Sequence, residues 1–530
     1  MNKSRIVILS AVMATVVSCN MDRMSPDSVP LDEAFLNMES VESLERGAYS
    51  RLRTAYSPSS MIAPDIQADY VNAVDGFTNT YGELYQWNFT YDDTDVETTW
   101  NNFYGTISQC NFILDGIKYN LGFEPDAAQQ ATLDEICGRM HLIRAISYSV
   151  LAERFCADYE SSTAGNPATG LPLVISYDTS YKPDRSTLAK VYETILEDLD
   201  EAGKLLAGTE TASDRDVLNM DCVTAMEAKV YLQMDNYTEA LSKANSLISD
   251  GNYPLSESKE EFASMWVNDS SDEIIFKFYA SVNELAYQFG YYFYKDYFNG
   301  TGDYHTMTPD YIPTQACVDM YDDADWRKDT YMKYCDMPSD FGNATDLSDG
   351  YYMMIKGNTM FADQAYIISK FPGNPELQTT TSFNYFNAWK PFRIAEMYLI
   401  AAEAAVQSEG DAATPLNELR KHRGLPAIEG TVTMEDVREE RYREMMMEGT
   451  RLTDLKRWKL GITRSEDDVQ SGNVGPTQMG GWSSSYDYVA NVGLSLSAGA
   501  DDYRFVWPIP ASEIFASPQL ESQQNPGWRR

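Results

Sequence analysis

Three glutamates, Glu440, Glu444 and Glu448, are spaced at i, i+4 and i+8, so on a helix their carboxylates share one stripe with Cβ atoms roughly 5–6 Å apart. Two carboxyls that close have the layout of a retaining glycosidase, one serving as nucleophile and the other as acid and base. Arg441 and Arg451 stand beside them, and three acids on one stripe repel unless neutralised. A structural ion-pair network is therefore the economical reading. Asp93, Asp95 and Glu97 alternate as at the start of a calcium loop. Thr98 stands where that loop needs glycine and Tyr104 where it needs a bidentate glutamate, which leaves a solvated acidic loop. The histidines, His141, His305 and His422, lack zinc-ligand spacing. Neither a Gly-x-x-x-x-Gly-Lys-Ser/Thr phosphate loop nor a Gly-x-Ser-x-Gly elbow occurs. The expectation is a binding protein with no catalytic residue, cofactor or metal.

The aromatic residues carry a sharper signal. They make up 12% of the chain, and 36 tyrosines outnumber 21 phenylalanines, a bias towards rings with a polar tip. Tyr70, Asn72, Phe77, Tyr81, Tyr85 and Trp87 crowd one segment, and Tyr291, Tyr292, Tyr294, Tyr297 and Tyr304 crowd a second. A third set, Trp482 with Tyr486 and Tyr488, lies in a Gly/Ser-rich stretch. Sugar rings pack their C–H faces on aromatic planes, while amides and carboxylates bond the hydroxyls between them. These residues are candidate glycan contacts, with Trp87 and the tyrosines at 291 to 297 expected to form one stacking platform. The competing use of such rings is to pack loops onto a scaffold or to face a protein partner. Trp326, between Asp325 and Arg327, reads as structural.

What positions these segments is helical. Ala240, Leu241, Ala244, Leu247 and Ile248, and likewise Ile394, Met397, Tyr398, Ala401 and Ala405, recur at helical spacing. From Asp221 to Asp250 the chain runs helix, short polar turn, helix, with small residues permitting close approach, in the manner of a tetratricopeptide-like pair. Residues 394 to 425 repeat the plan, as do 100 to 118 with 133 to 155. Such pairs stack into an α-solenoid. Residues 56 to 99, 279 to 314, 336 to 388 and 464 to 504 are rich in Gly, Asn, Asp, Ser, Thr and Tyr and read as long irregular loops.

Lys3 and Arg5 precede an uncharged apolar run from Ile6 to Val17, the layout of a secretory signal peptide. At about 1.5 Å per residue the run covers roughly 18 Å, short of the ~30 Å hydrocarbon core. Val16-Val17-Ser18-Cys19 resembles a bacterial lipobox, so Cys19 is expected to be acylated and to hold a soluble body at the membrane. The expected division is 1–18 signal peptide, 19–30 acylated cysteine and tether, and 31–530 folded body. A net charge of −39 and a pI near 4.3 repel phosphate backbones and argue against nucleic acid. Cys110, Cys137, Cys156 and Cys222 sit in helix-like apolar patterns as free thiols, and no disulfide is expected.

A set of short motifs runs in order along the chain: Trp100, Ile107, Asn111 and Leu114, then Arg144-Ala145 and Tyr148 to Phe155, Gly170-Leu171-Pro172-Leu173, and Arg185 with Tyr192. Arg393, Glu396, Tyr398-Leu399 and Arg423-Gly424-Leu425 follow. The most specific run is Glu440-Arg441, Glu444, Glu448-Gly449, Arg451 and Asp454-Leu455-Lys456-Arg457-Trp458, and Gln524-Asn525-Pro526-Gly527-Trp528 closes the set. The set resembles the SusD/RagB family of nutrient-binding outer-membrane lipoproteins. The resemblance implies an all-α fold of tetratricopeptide-like helix pairs decorated by long loops. It divides the body near residue 260, with tetratricopeptide-like helices in the N-terminal part. It implies a surface-exposed protein, anchored to the outer membrane through Cys19. Such a protein captures an oligo- or polysaccharide and delivers it to a SusC-like TonB-dependent barrel. A RagB-like receptor for peptides is the alternative, and a surface glycosidase a weaker one. The family's ligand loops vary between members, so the likeness carries over no binding residue.

Overall fold

The structure is a computed structural model describing residues 34–74, 80–209, 215–294, 296–297, 304–307, 309–335, 350–354, 362–363, 365–378, 385–470 and 494–529. Cys19, Phe77, Trp482, Tyr486 and Tyr488 lie outside the described residues.

The scaffold is helical. α1 (Met38–Ala55) packs on α2 (Thr94–Tyr119), α2 on α3 (Ala127–Phe155), α3 on α4 (Leu188–Leu205), α4 on α5 (Met220–Gln233) and α5 on α6 (Tyr237–Asp250). The stack does not stop near residue 260. α6 packs against α7 (Ile394–Gln407), and α7 carries α8 (Ala413–Lys421) and α9 (Met434–Glu444). The fold is thus an all-α solenoid of tetratricopeptide-like pairs, and the pairs read at 100–155, 221–250 and 394–425 are α2/α3, α5/α6 and α7/α8. Ala225 and Ala228 on α5 face Ala240 and Ala244 on α6, all fully buried, and their small side chains let the two backbones approach. α3 is buried all round from Leu142 to Ala152 because helices cover it on several sides. It starts at a capping box of Asp126 and Gln129.

Two expectations are corrected here. Asp93 is no part of a solvated loop: its Oδ1 accepts the N–H groups of Asp95 (2.9 Å) and Val96 (3.1 Å), so it caps α2, and Asp95 and Glu97 fill the first turn. Nor is 56–99 a surface loop. It folds inward as short helices, Pro58–Met61, Ala63–Gln67 and Gly82–Tyr85, and a strand, Val71–Ala73. The cause is a buried cation. The Arg464 guanidinium donates to the carbonyl oxygens of Ile66 (2.9 Å), Gln67 (2.7 Å) and Tyr85 (2.5 Å), satisfying helix-end acceptors that would otherwise need water. On the other side the Asp65 carboxylate accepts the N–H groups of Gly449 (2.9 Å) and Arg451 (3.0 Å).

The strands are short. Val71–Ala73 runs antiparallel to Tyr311–Pro313, pairing Val71 with Pro313 and Ala73 with Tyr311. This pairing ties the first aromatic segment to the second. Asp296–Tyr297 pairs antiparallel with Tyr304–Met307, and Ile462–Arg464 pairs with Leu496–Ala498.

Candidate functional site

The glutamate stripe resolves first. Glu440, Glu444 and Glu448 all point into the interior, the first two fully buried. Glu444 meets Arg393 (2.9 Å), Arg423 (2.9 Å) and Arg327 (3.1 Å). Glu440 meets Arg327 (2.7 Å), Arg420 (2.9 Å) and Arg443 (2.9 Å), and Glu448 meets Arg393 (2.5 Å) and Lys370 (2.6 Å). The network extends through Arg441, which bridges Glu396 (3.2 Å) and Asp454 (2.7 Å), to Arg457, which bonds Asp454 (3.1 Å) and Glu403. Trp458 Nε1 donates to Glu403 at 2.8 Å, and Arg451 pairs with Asp69 (2.7 Å). Burial alone would raise the Glu440 carboxyl, but the guanidiniums of Arg327 and Arg443 outweigh it and hold it at about 2. Glu444 is likewise held well below the usual range against its burial, by Arg423 and Arg393. A general acid needs a raised pKa and reach to substrate. This pair has neither, so it locks the C-terminal helices to the solenoid and does no glycosidase chemistry.

The aromatic candidates divide sharply. Trp87 is 2% exposed. Its Nε1 donates to the Gln67 carbonyl at 2.7 Å, and its ring stands edge-on to Phe505 with centroids 4.9 Å apart. Tyr70, 1% exposed, donates its hydroxyl to the Tyr442 carbonyl (3.1 Å). Asn72, equally buried, donates to the Asp468 carbonyl (2.7 Å), and Tyr85 lies between Tyr311 and the Arg464 guanidinium. These four residues were expected to face ligand and are corrected to core: Trp87, Tyr70 and Asn72 end their polar tips on backbone carbonyls, and Tyr85 is held by its ring.

Tyr81 is the exception in the first segment. It holds a left-handed φ of 58° at the head of Gly82–Tyr85, and its ring reaches the second segment, meeting Tyr292 at 5.0 Å. Tyr292 meets Tyr291 edge-on at 5.7 Å, and Tyr291 meets Tyr385 at 6.1 Å. The short helix Tyr291–Tyr294 is seated by Phe293, which is fully buried. Its peptide is also seated, since Asp310 N–H donates to the Tyr292 carbonyl (2.7 Å). A side chain at Gly290 would collide with the Phe371 carbonyl, so only glycine lets the helix start there. The result is one outward ring, Tyr291 at 43% exposure, backed by the half-buried Tyr292 and the buried Tyr81 and Tyr385. A polar floor adjoins it: Tyr81 hydrogen-bonds Tyr292 and Ser59, and Ser59 Oγ donates to Asp95 Oδ1 at 2.7 Å. Burial pushes the Asp95 carboxyl up to about 6.

Two segments some two hundred residues apart therefore share one ring cluster, with Tyr81 in the place expected of Trp87. Tyr294, Tyr297 and Tyr304 belong to the helix and strand pair just described, and their side chains lie outside the described residues. Tyr385 and Asp95 were missed as neighbours of the cluster. Asp95 was read for calcium, and Tyr385, with Phe383, Phe386 and Trp389 around it, lies at the end of a stretch read only as irregular loop, so neither was flagged. Among the described residues no group of three or more His, Cys, Asp or Glu is placed to hold a metal ion, and Cys110, Cys137, Cys156, Cys222 and Cys317 are free thiols.

A helical solenoid whose inserted segments gather rings at one place is a scaffold for holding a ligand. The sequence pattern of the SusD family matches residues 264–528, and a second pattern, described as starch-binding and associating with the outer membrane, matches residues 24–232. The chain belongs to the SusD family. It is 25% identical over 476 residues to SusD-like protein P38 of Formosa agariphila, covering 83% of this chain and 88% of that one. Over a much shorter stretch of 72 residues, 14% of this chain and 13% of the relative, it is 42% identical to the starch-binding protein SusD of Bacteroides thetaiotaomicron. Among solved structures, a SusD superfamily protein from Bacteroides thetaiotaomicron superposes with a TM-score of 0.69 at 23% identity, over 92% of this chain and 100% of that one. Surface glycan-binding protein A from Bacteroides fluxus superposes with a TM-score of 0.64 at 18% identity, over 93% and 99%. These two likenesses are of fold. No described helix is long and apolar enough to cross a membrane.

Proposed function

We propose that this chain is a non-catalytic glycan receptor on the outer membrane, anchored through an acylated Cys19. In this reading it captures an oligo- or polysaccharide on the Tyr291 cluster and delivers it to a SusC-like TonB-dependent barrel. The observation that carries the reading is the exposed Tyr291 ring, edge-on to Tyr292, which in turn meets Tyr81 with Ser59 and Asp95 behind it. A flat apolar face in a cluster of tyrosine hydroxyls suits a sugar ring, which offers a C–H face and an edge of hydroxyls. The second matched pattern, described as starch-binding and outer-membrane associated, and the surface glycan-binding protein of the same fold support it. The enclosed glutamates leave the glycosidase alternative without its acid and base. No feature of the cluster favours a peptide over a glycan.

Calorimetric titration of the soluble body against a panel of polysaccharides, with peptides alongside, is the test, and chromatography of each mixture checks for released product. Binding to at least one polysaccharide without release is the expected result; binding to peptides alone moves the protein to the RagB-like reading, and reproducible cleavage makes it an enzyme. The anchor is tested separately. Cys19→Ala is expected to abolish acyl labelling and to move the protein from the outer-membrane to a soluble fraction, and unchanged membrane attachment removes the lipoprotein claim.

A further inference from the structure

A second cleft lies away from the Tyr291 cluster, between the end of α3 and the C-terminal segment. Its volume is about 580 Å³, within the roughly 300–1,000 Å³ typical of small-ligand sites. One wall is Tyr503, 43% exposed. The ring is held in place from behind. Trp528 meets it edge-on at 4.9 Å, with its own Nε1 donating to the Val506 carbonyl (2.8 Å). Gly527, at a φ of 86°, brings bare backbone against the ring where any side chain would collide. The neighbouring Phe505 is buried against Trp87. The core placement of Trp87 thus supports the floor of this cleft.

The cleft's polar groups have unused hydrogen-bonding capacity. Lys456, 9% exposed, donates to the carbonyls of Glu153 (2.6 Å) and Cys156 (2.8 Å), two of the three bonds an ammonium makes. Among the described residues its third N–H has no acceptor. Asp158 also lines the cleft, and none of the described residues donates a hydrogen bond to its carboxylate. Burial pushes that carboxyl up to about 6 against the pull of Lys456, and the side chain is part-buried at the cleft wall. A donor and an acceptor with capacity left over in one cleft suit a ligand that supplies both. Four carboxylates and three cations line the walls, which favours a neutral ligand over an ion.

We propose that this cleft is a second saccharide site, taking a neutral sugar of one or two rings with a ring face on Tyr503 and hydroxyls bonded to Asp158 and Lys456. Hydroxyls both donate and accept, so one sugar edge satisfies the carboxylate and the ammonium together. The choice of a sugar among neutral polyols rests on the glycan-binding reading above. A chain with two sites grips a polysaccharide at two points, and the second contact forms at high effective concentration once the first is made.

The test uses maltose, cellobiose, xylobiose, mannobiose and sucrose as probes, followed by saturation-transfer NMR on a Tyr291→Ala background that weakens the first site. At least one disaccharide is expected to bind there. Asp158→Asn and Tyr503→Ala should each weaken it by about tenfold, the loss of a central contact, while Tyr503→Phe retains it. Asp158→Asn removes no partner from any described residue, so its melting temperature should not fall, and it stands as the decisive variant if Tyr503→Ala loosens Trp528. Disaccharide binding that ignores both substitutions, or that vanishes with Tyr291→Ala alone, overturns the cleft and leaves the first site standing. Polysaccharide binding by the wild type with no disaccharide response on the Tyr291→Ala background also overturns the cleft alone. Absence of both kinds of binding overturns the two sites together.

Discussion

The two aromatic segments, 70–87 and 291–294, are both dense in rings and have opposite fates. In the first, ring after ring turns inward: the Tyr70 hydroxyl, the Trp87 indole and the Asn72 amide each end on a backbone carbonyl of another segment. In the second, one ring, Phe293, is driven home and its neighbour Tyr291 is left outside. Aromatic density is the same signal in both. What separates them is the demand of the surrounding backbone, since short helices buried at 58–67 and 82–85 expose carbonyl ends that need donors. The Trp87 indole supplies one of them, at Gln67, and Arg464 supplies others at Ile66, Gln67 and Tyr85.

The contrast breaks most visibly at Trp87. Trp87→Ala empties a fully buried ring site and removes one of the donors to the Gln67 carbonyl, leaving Arg464, with an expected loss of about 3–5 kcal/mol of stability. Thermal or denaturant melts measure it, and the fraction that remains folded should keep its affinity at Tyr291. A variant that melts like the wild type but binds glycan weakly would return Trp87 to the ligand surface and undo the distinction. Tyr291→Ala is the mirror case and the next smaller effect. It should cost about 1–3 kcal/mol of polysaccharide binding as a central stacking contact and leave the melting temperature where it was, because the ring is exposed. Loss of binding only in parallel with loss of fold assigns Tyr291 to the scaffold instead.

How much of this was legible in the residues follows from the kind of signal each carries. Helix pairs were readable because apolar spacing is local: Ala240, Ala244 and Leu247 recur on one face whatever lies opposite. That the glutamate stripe is an ion-pair network was readable, but its partners were not: Arg441 and Arg451, the neighbours in sequence, bond Glu396, Asp454 and Asp69 instead. The cations that meet the stripe include Arg327, Arg393 and Arg423, which arrive from far along the chain, and no spacing announces them. The inward fold of 56–99 was not readable. Its cause is Arg464, some four hundred residues away, together with Asp65 accepting from Gly449 and Arg451. That the two aromatic segments meet was foreseen from the solenoid, but that Tyr81 and not Trp87 makes the contact depends on left-handed turns at both residues. Neither residue is of a type that signals such a turn.

The finest distinction concerns water at the Tyr291 cluster. Asp95, linked to Tyr81 through Ser59, has a carboxyl pushed up by burial to about 6, lowered somewhat by Ser59 and raised further by Asp93. In the unfolded chain the same group titrates near 3.9. Between those values the folded protein holds the proton and the unfolded chain releases it, so raising the pH from about 4 to about 6 removes stability, and below about 4 the group contributes no pH dependence. Other carboxyls are raised as well, Asp65 and Asp158 among them, so the whole-protein slope does not isolate Asp95. The difference between two slopes does. Asp95→Asn keeps an acceptor for Ser59 and cannot ionise, so its melting temperature should fall less than that of the wild type across this window and match it more closely at pH 4 than at pH 7. Parallel pH profiles for the two proteins would mean that solvent reaches the carboxylate freely. The floor beneath Tyr291 is then a wet surface, and any sugar bound there is held by its ring face and not by its hydroxyls.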